Sequence, residues 1–282
     1  MIKMLVDSGS DLSIPDKEIY NIGVVPLSLI YNGEEWEDYY HFKSEEYRHI
    51  LKTTKNLPTT SQPSPERYIS YFKKFEDEYD EIMVITMSHL GSGSHNSAML
   101  AKGIYEEEGG KARIFVVDSL STSYGISFLA IKGMELVKKG LSGEEIEREL
   151  KLYIKKLRVS FLVDDMEFLI KGGRISVVKG AFISKLQIKP IISLTDDGTG
   201  NVSGKAIGFK NGLSKLCSAF EKNGNHSKRV QIIECGALKE AESLAEAIKA
   251  KIKNANVVIS EMKGVMSTHA GPGSVCIAYE EN

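Results

Sequence analysis

The sequence predicts an α/β protein of two domains: an N-terminal parallel sheet with helices on both faces, and a C-terminal α+β domain with a mixed or antiparallel sheet. The chain has 282 residues, more than a typical single domain. Its first part alternates short apolar runs with segments of helical periodicity, as parallel sheets layered by helices do. In its second part, turn signals separate successive strand patterns, which favours antiparallel pairing. We place the boundary between domains 1–159 and 160–282.

In the first domain, three of the four predicted strands contain near-continuous apolar runs, at 1–6, 82–85 and 114–117, which suit strands covered on both faces. Apolar residues at helical spacing predict the helices. Gly140 suits the position after the third helix, and Ser142 with Glu145 has the spacing of a capping box that begins the fourth. The predicted strands are 3–7, 24–29, 82–86 and 114–118, and the predicted helices are 68–79, 97–108, 124–139 and 142–157.

In the second domain, the clearest turn signal is the stretch 196–201, which is rich in aspartate and glycine. It separates two strand patterns and therefore predicts a hairpin. The predicted strands are 160–163, 189–194, 202–208, 230–235, 257–263 and 275–279, and the predicted helices are 166–171, 211–221 and 238–251.

Composition excludes several classes of protein. The formal net charge is −2 and no basic run exceeds two residues, which disfavours a nucleic-acid partner. The N-terminal strand is too short for a signal peptide, and no apolar stretch approaches the length of a membrane span. The three cysteines are widely spaced, lack metal-ligand spacing and fit buried thiols in a reducing compartment. We therefore expect a cytoplasmic protein without a metal site.

Hydroxyl side chains lie beside two prolines in the stretch 59–65. Proline fixes its own φ and holds the preceding residue extended, so Gln62 and Ser64 are expected in a stiffened loop. Such a loop can present hydroxyls to a carboxylate or phosphate at little ordering cost. The stretch equally suits a capping loop, with Ser64 as N-cap and Pro65 as the first residue of a helix over 66–77. The two interpretations are compatible.

A second loop, rich in serine and glycine, follows the third predicted strand and places Ser92 between Gly91 and Gly93. A helix follows, so backbone N–H groups at its N-terminus favour an anion. The loop is either a simple helix cap or a site where Ser92 donates to a carboxylate. A dinucleotide-binding loop is disfavoured, because Asn96 stands at the third glycine position and Asp118 lies beyond the usual spacing.

Two further stretches carry charged or titratable groups beside glycines. Gly172 and Gly173 end a short predicted helix just before Arg174, whose guanidinium suits a carboxylate or phosphate. His269 precedes a Gly-Pro-Gly turn around Pro272, where the backbone can approach a ligand closely. The alternatives are a structural ion pair for the arginine and a bystander histidine in a tight turn.

Together with Asp7 and Ser8 at the start, five ordered stretches resemble the signature set of the DegV family. The resemblance covers essentially the whole chain. The five stretches are the TSQPS loop at 60–64, the serine loop at 88–98, GGRIS at 172–176, IKPI at 188–191 and the HxGPG motif at 269–273.

The resemblance implies a protein that binds one long-chain fatty acid, such as palmitate, between its two domains. It implies that Thr60 and Ser92 donate hydrogen bonds to the carboxylate, that His269 completes this network, and that Arg174 supplies positive charge at the mouth of an apolar tunnel. Further residues are expected in the head-group region or in kinase coupling: Ser61 and Gly93. Apolar residues expected near the tunnel are Phe161, Phe168, Ile170 and Ile183.

The resemblance also implies a partner. Some family members are the binding subunit of bacterial fatty acid kinase and present the carboxylate to a separate, dihydroxyacetone-kinase-like, ATP-dependent kinase. The chain itself is then expected to be a binding protein and not an enzyme, with no cofactor beyond its lipid ligand. Two departures from the family pattern favour a carrier or sensor without a kinase as the alternative: Ser94-His95 replaces a common Thr-Tyr, and 204–210 carries lysines where many members have arginines.

A serine hydrolase is the alternative from another class. Ser92 and His269, with Asp7 or Asp118 as the acid, supply the residue types of a catalytic triad. A GxSxG nucleophile elbow, a P-loop, HExxH and CxxC are all absent from the sequence, which disfavours the common catalytic arrangements.

Overall fold

The computed structural model describes residues 1–41, 43–174 and 187–282, and the chain forms two compact units. We call them the N-unit and the C-unit. The N-unit comprises Met1–His41, Thr60–Lys155 and Asp196–Gly198, and the C-unit comprises Phe42–Thr59, Lys156–Thr195 and Thr199–Asn282. The N-unit includes Asp196–Gly198 from the second half of the chain, and the C-unit includes Phe42–Thr59 from the first half. The single domain boundary at residue 159 stays a prediction.

The N-unit is built on a parallel four-stranded sheet in the order β2-β1-β6-β7, as the apolar runs predict. A second, three-stranded sheet has the order β4-β3-β5. The strands are β1 (Ile2–Asp7), β2 (Gly23–Val25), β3 (Ser28–Tyr31), β4 (Glu34–Glu37), β5 (Thr59–Ser61), β6 (Glu81–Thr86) and β7 (Arg113–Asp118).

One strand prediction in this unit is wrong. The predicted strand 24–29 is two strands in different sheets, β2 and β3. Pro26 lies between them and has no N–H to donate to a sheet, so the ladder stops there.

Helices cover both faces of the parallel sheet. On one face, α3 and α4 contribute to a core with Leu5 and Val84. On the other face, α5 packs so closely on Met4 that a Cβ at Gly133 would lie 2.5 Å from the Met4 Cε. The predicted caps are present: Ser64 accepts from the Arg67 N–H, and Ser142 forms its capping box. The helices are α1 (Ile14–Tyr20), α3 (Pro65–Phe75), α4 (Ser94–Glu107), α5 (Tyr124–Lys138) and α6 (Gly143–Ile154).

The C-unit contains a six-stranded mixed sheet in the order β10-β9-β8-β13-β11-β12. Of its neighbouring pairs, only β11 and β12 run parallel. The predicted hairpin joins β9 to β10, where the Thr195 N–H donates to the Thr199 carbonyl at 2.9 Å. The strands are β8 (Leu157–Leu162), β9 (Ile188–Leu194), β10 (Gly200–Ile207), β11 (Arg229–Glu234), β12 (Asn256–Glu261) and β13 (Val275–Glu280).

Two long helices, α8 and α9, bury their apolar sides in one core with this sheet. A short helix, α7, packs against α10, and α10 also contacts α2. Of the described helices, none is long and apolar enough to cross a membrane. The helices of the C-unit are α2 (Ser44–Thr53), α7 (Met166–Gly172), α8 (Phe209–Asn223), α9 (Leu238–Lys251) and α10 (Gly264–Ala270).

The N-unit core centres on aromatic residues of α3 and α4. Phe72 is fully buried and meets Tyr105 edge-to-face, with ring centroids 5.4 Å apart. The Tyr105 hydroxyl accepts from the Ala112 N–H at 3.0 Å and donates to Glu76. This arrangement joins both helices to the loop before β7, so the core depends on the Phe72 ring.

We expect Phe72→Ala to lower the free energy of unfolding by about 3–5 kcal/mol, because it removes transfer free energy and leaves a cavity. Leu100→Ala is the control: Leu100 lies on α4 with 57% of its surface exposed, so the change should stay within about 0.5 kcal/mol. Urea unfolding followed by circular dichroism measures both. Equal losses in the two variants would contradict this account of the core.

Candidate functional site

The carboxyl edge of the parallel sheet carries a buried acid. Asp7 ends β1 and is 0% exposed. Its Oδ2 accepts from the N–H of Met87, the residue that follows β6, at 2.7 Å. Parallel neighbours end at the same edge of a sheet, and ligands of open α/β sheets bind outside this edge. The carboxyl group of Asp7 is therefore hydrogen-bonded to the first residue after β6, where the next loop begins.

That loop is the predicted serine loop, and it leads directly into α4. The Ser92 Oγ lies 2.9 Å from the Ser94 Oγ and accepts from the Ser94 N–H at 3.2 Å. Ser94 is fully buried, whereas Ser92 is only partly buried. The contact between their hydroxyls therefore joins an accessible side chain to a buried one. The Asp7 Oδ1 and the Tyr68 hydroxyl are buried and have no hydrogen-bond partner among the described residues.

The TSQPS loop lies on the serine loop through Gln62. A Cβ at Gly93 would lie 1.7 Å from the Gln62 Oε1, so any larger residue would displace the Gln62 amide from this position. The Gln62 Nε2 donates to the Ser97 Oγ at 3.1 Å. Thr60 is partly buried in β5, whereas Ser61 beside it is exposed. The N-unit therefore brings the two predicted hydroxyl loops together.

Burial raises the pKa of Asp7 to about 7. The N–H groups of Met87 and Gly9 and the hydroxyl of Ser94 oppose this rise, and the nearby Asp38 carboxyl adds to it. The carboxyl group of Asp7 therefore loses its proton at a higher pH than an ordinary aspartate does. The sequence identifies Asp7 as part of the signature set, but its burial depends on the assembled sheet and loops.

In the C-unit, Gly172 of the GGRIS stretch lies against His269 of the HxGPG motif. A Cβ at Gly172 would lie 2.4 Å from the His269 Nδ1, so the glycine makes room for the imidazole. The Arg174 Nη1 donates to the Gly172 carbonyl at 2.6 Å. The unit therefore brings His269 and Arg174 together. His269 lies on α10 and not in the tight turn that the sequence also allows; the turn begins at Gly271, with φ of 78°.

Burial, together with a smaller effect of the Arg174 charge, lowers the pKa of His269 to about 4. The imidazole is therefore neutral at neutral pH and can donate or accept a hydrogen bond without carrying charge. Arg174 is exposed and permanently charged. The two side chains thus offer different chemistry: a neutral hydrogen-bonding group and a cation.

Of the four apolar residues expected near a tunnel, two are at least partly buried. Phe161 lies on β8 and is 7% exposed. The ring of Phe168 packs on Gly271, where a Cβ would lie 2.4 Å from the ring. Ile170 is 49% exposed. Ile183, like Ile175 and Ser176 of the GGRIS stretch, lies outside the described residues.

The residues of the hydrolase alternative have other partners. The Ser92 hydroxyl contacts Ser94, and Asp7 accepts from Met87. Asp118 pairs with the His89 Nδ1 at 2.6 Å, an interaction that sequence reasoning missed. These contacts do not favour a triad on Ser92.

In the described part of the chain, no cluster of three or more histidine, cysteine, aspartate or glutamate residues could hold a metal ion. The three cysteines are free and buried, as the sequence predicts.

The C-unit also contains an open cavity of about 500 Å³ between the end of α2, the start of α7 and the turn at Pro272. Its wall includes three lysines and two aspartates: Lys52, Lys55, Lys171, Asp164 and Asp165. Such a mixed, charged wall does not suit an acyl chain.

Comparison with known proteins supports the family resemblance. The model of the family described as "Uncharacterised protein, DegV family" matches residues 1–282. A DegV domain-containing protein of Clostridium perfringens is 31% identical over 285 residues, which covers 99% of this chain and 98% of that protein.

Solved structures are similar over the same length. A DegV family protein from Ruminococcus gnavus with vaccenic acid is 29% identical, with a TM-score of 0.88 over 98% of this chain and 99% of that one. The fatty acid kinase B3 protein of Streptococcus pneumoniae, loaded with linoleic acid, is 27% identical, with a TM-score of 0.87 and complete coverage of both chains, 100% each. With a family model that matches from the first residue to the last, this chain belongs to the DegV family.

Proposed function

We propose that this protein binds a long-chain fatty acid and holds its carboxylate with the hydroxyls of Thr60 and Ser92. The observation that carries the proposal is the position of Ser92: a partly buried hydroxyl that contacts Ser94 at the start of α4, on the loop against which Gln62 of the TSQPS loop lies. Structures of relatives with vaccenic and linoleic acid support the ligand class. The neutral imidazole of His269 serves as a further hydrogen-bonding group, and Arg174 supplies charge.

The energetics suit a site in which the acyl chain supplies most of the affinity and the polar groups fix the carboxylate. Burial of an acyl chain contributes about 0.8 kcal/mol per CH₂, so a long chain supplies ample gross affinity after the costs of association. The polar groups then need only fix the position of the carboxylate. A hydrogen bond from a hydroxyl to a charged acceptor adds about 1.5–3 kcal/mol.

We expect the purified protein to carry a single long-chain fatty acid. Native mass spectrometry followed by lipid extraction measures the mass and identity of the ligand. Apo protein alone, with no uptake of added palmitate or oleate, would contradict the proposal. Incubation with p-nitrophenyl esters tests the hydrolase alternative: turnover that Ser92→Ala abolishes would replace the binding function with an enzymatic one.

We expect Thr60→Ala and Ser92→Ala each to weaken fatty-acid binding roughly ten- to a hundredfold, because each removes one hydrogen bond to a charged group. Thr59→Ala is the matched control, since Thr59 is the exposed neighbour of Thr60 on β5. Dissociation constants from titration with a fluorescent fatty acid, together with circular dichroism for the fold, separate the effects. If all three variants bind like the wild type, the carboxylate is held elsewhere.

We further propose that the protein presents the carboxylate to a separate dihydroxyacetone-kinase-like, ATP-dependent kinase. The support is the similarity to the Streptococcus pneumoniae fatty acid kinase B3 protein, together with an exposed cation, Arg174, beside a buried neutral imidazole. Phosphoryl transfer develops negative charge, which a guanidinium stabilises. The lysine-bearing stretch 204–210 keeps a carrier without a kinase as the second candidate.

We expect Arg174→Ala to bind fatty acid nearly as the wild type does but to support little acyl-phosphate formation with the cognate kinase and ATP. His269→Ala should impair both, because the imidazole belongs to the carboxylate network. Lys171→Ala is the control, as Lys171 is an exposed cation on α7 that pairs with Glu167. Binding titrations and a coupled assay for acyl phosphate give the two readouts. Lipid-loaded wild type that yields no acyl phosphate with any such kinase of its own organism would leave only the carrier function.

A further inference from the structure

The open cavity of the C-unit lies at the edge of the six-stranded sheet where β8 and β11 both end. These strands lie on either side of β13 and are antiparallel to it, so they run in the same direction. Asp164 comes shortly after β8 and Gly236 shortly after β11, and both line the cavity. In open α/β sheets, ligands bind outside the carboxyl ends of the strands. The cavity occupies the corresponding position in this unit.

Close backbone contacts shape the walls of the cavity. The Gly273 N–H donates to the Cys235 carbonyl at 2.7 Å, which holds the glycine turn against the end of β11. Gly236 has a φ of 68°, and a Cβ there would lie 3.3 Å from the Arg48 Cδ and 3.6 Å from the Lys52 Nζ. The end of α2 therefore lies directly on this glycine. A cavity of about 500 Å³ has the size of a small-molecule site.

The acidic side chains of the cavity have partners within the C-unit. Asp164 pairs with the Lys189 Nζ at 2.7 Å, and Glu167 pairs with Lys171 at 2.5 Å. Asp165 accepts from the Glu167 N–H at 2.8 Å, as the N-cap of α7. None of these contacts uses a cation of α2.

The cations of α2 have fewer partners. Arg48, Lys52 and Lys55 follow one another at a spacing that places them on one side of the helix and of the residues after it. Lys52 and Lys55 form no ion pair with another described residue. The Arg48 Nη2 pairs with Glu261 at 3.1 Å, but its Nη1 is buried without a hydrogen-bond partner among the described residues. Like charges at this spacing destabilise a helix, and a bound anion would offset that effect.

We propose that this cavity binds a phosphate ester that carries hydroxyl groups, such as a sugar phosphate or a nucleotide. Lysine binds phosphate as a point charge, and Lys52 and Lys55 present two such charges in the cavity wall. Carboxylates accept hydrogen bonds from hydroxyls, which gives Asp164 and Asp165 a role on the side of α7. The proposal uses none of the residues assigned to the fatty-acid carboxylate, so it does not rest on the proposed function.

The test is isothermal titration calorimetry of the wild type with AMP, glycerol phosphate and inorganic phosphate, and with adenosine and glycerol as unphosphorylated controls. We expect at least one ester to bind saturably and more tightly than inorganic phosphate, and neither control to bind. The preferred ester then distinguishes a nucleotide from a small polyol phosphate. No saturable binding of either ester at millimolar concentration would overturn the proposal. Equal affinity for the esters and for inorganic phosphate would also overturn it, because the hydroxyl groups would then contribute nothing.

We expect Lys52→Gln and Lys55→Gln each to weaken binding of the preferred ester about tenfold, because each removes one charged donor to the phosphate. Lys249→Gln is the matched control. Like Lys52, Lys249 is an exposed lysine in the last turn of a C-unit helix, but it lies on α9 and does not line the cavity. Circular dichroism checks the fold of each variant. Unchanged affinity in both cavity variants, or an equal loss in Lys249→Gln, would overturn the proposal.

Oleate titrations separate this site from the proposed fatty-acid site. Lys52→Gln and Lys55→Gln should bind oleate as the wild type does. If they lose oleate and ester binding together, the cavity belongs to the fatty-acid site and the proposal is overturned. Ester binding by a wild type that binds no oleate would contradict the proposed function alone and support the second site.

Discussion

The hydrogen bond from the Met87 N–H to the Asp7 carboxyl fixes the end of β1 to the residue that follows β6, and the candidate site depends on it. A fully buried carboxyl is costly, and burial shifts its pKa upward for this reason. The Met87 N–H offsets part of this cost. Met87 begins the stretch that leads through the serine loop into α4, so the same acid positions the start of that stretch. The ends of β1 and β6 are therefore coupled through one side chain.

Two glycines impose a second constraint, one in each unit. Gly93 lets Gln62 of the TSQPS loop lie against the serine loop, and Gly172 lets His269 lie against the end of α7. In each case a Cβ would collide with the side chain that a different signature stretch supplies, at 1.7 Å and 2.4 Å. The glycines are needed for close approach and not for a positive φ at these positions. Residues of signature stretches that are far apart in the chain therefore contact each other in pairs, Gln62 with Gly93 and His269 with Gly172.

These features explain what the sequence could and could not predict. The strands of the parallel sheet and the caps of α3 and α6 follow from local patterns, and the structure has them. Pro26 is a visible signal in the sequence for the break between β2 and β3, because proline cannot donate to a strand ladder. The packing of Gln62 on Gly93 was beyond prediction, because it joins two loops about thirty residues apart through tertiary contact. The pKa of Asp7 likewise depends on burial by several elements at once.

The charges of the site residues also constrain how an anion can be held. His269 is neutral at neutral pH, so the permanent positive charge among the predicted residues belongs to Arg174 alone. The N-terminus of α4 adds the partial positive charge of a helix beside Ser92. A helix N-terminus carries only about half an elementary charge, so a carboxylate held in the N-unit would depend on neutral donors such as the Ser92 hydroxyl as well.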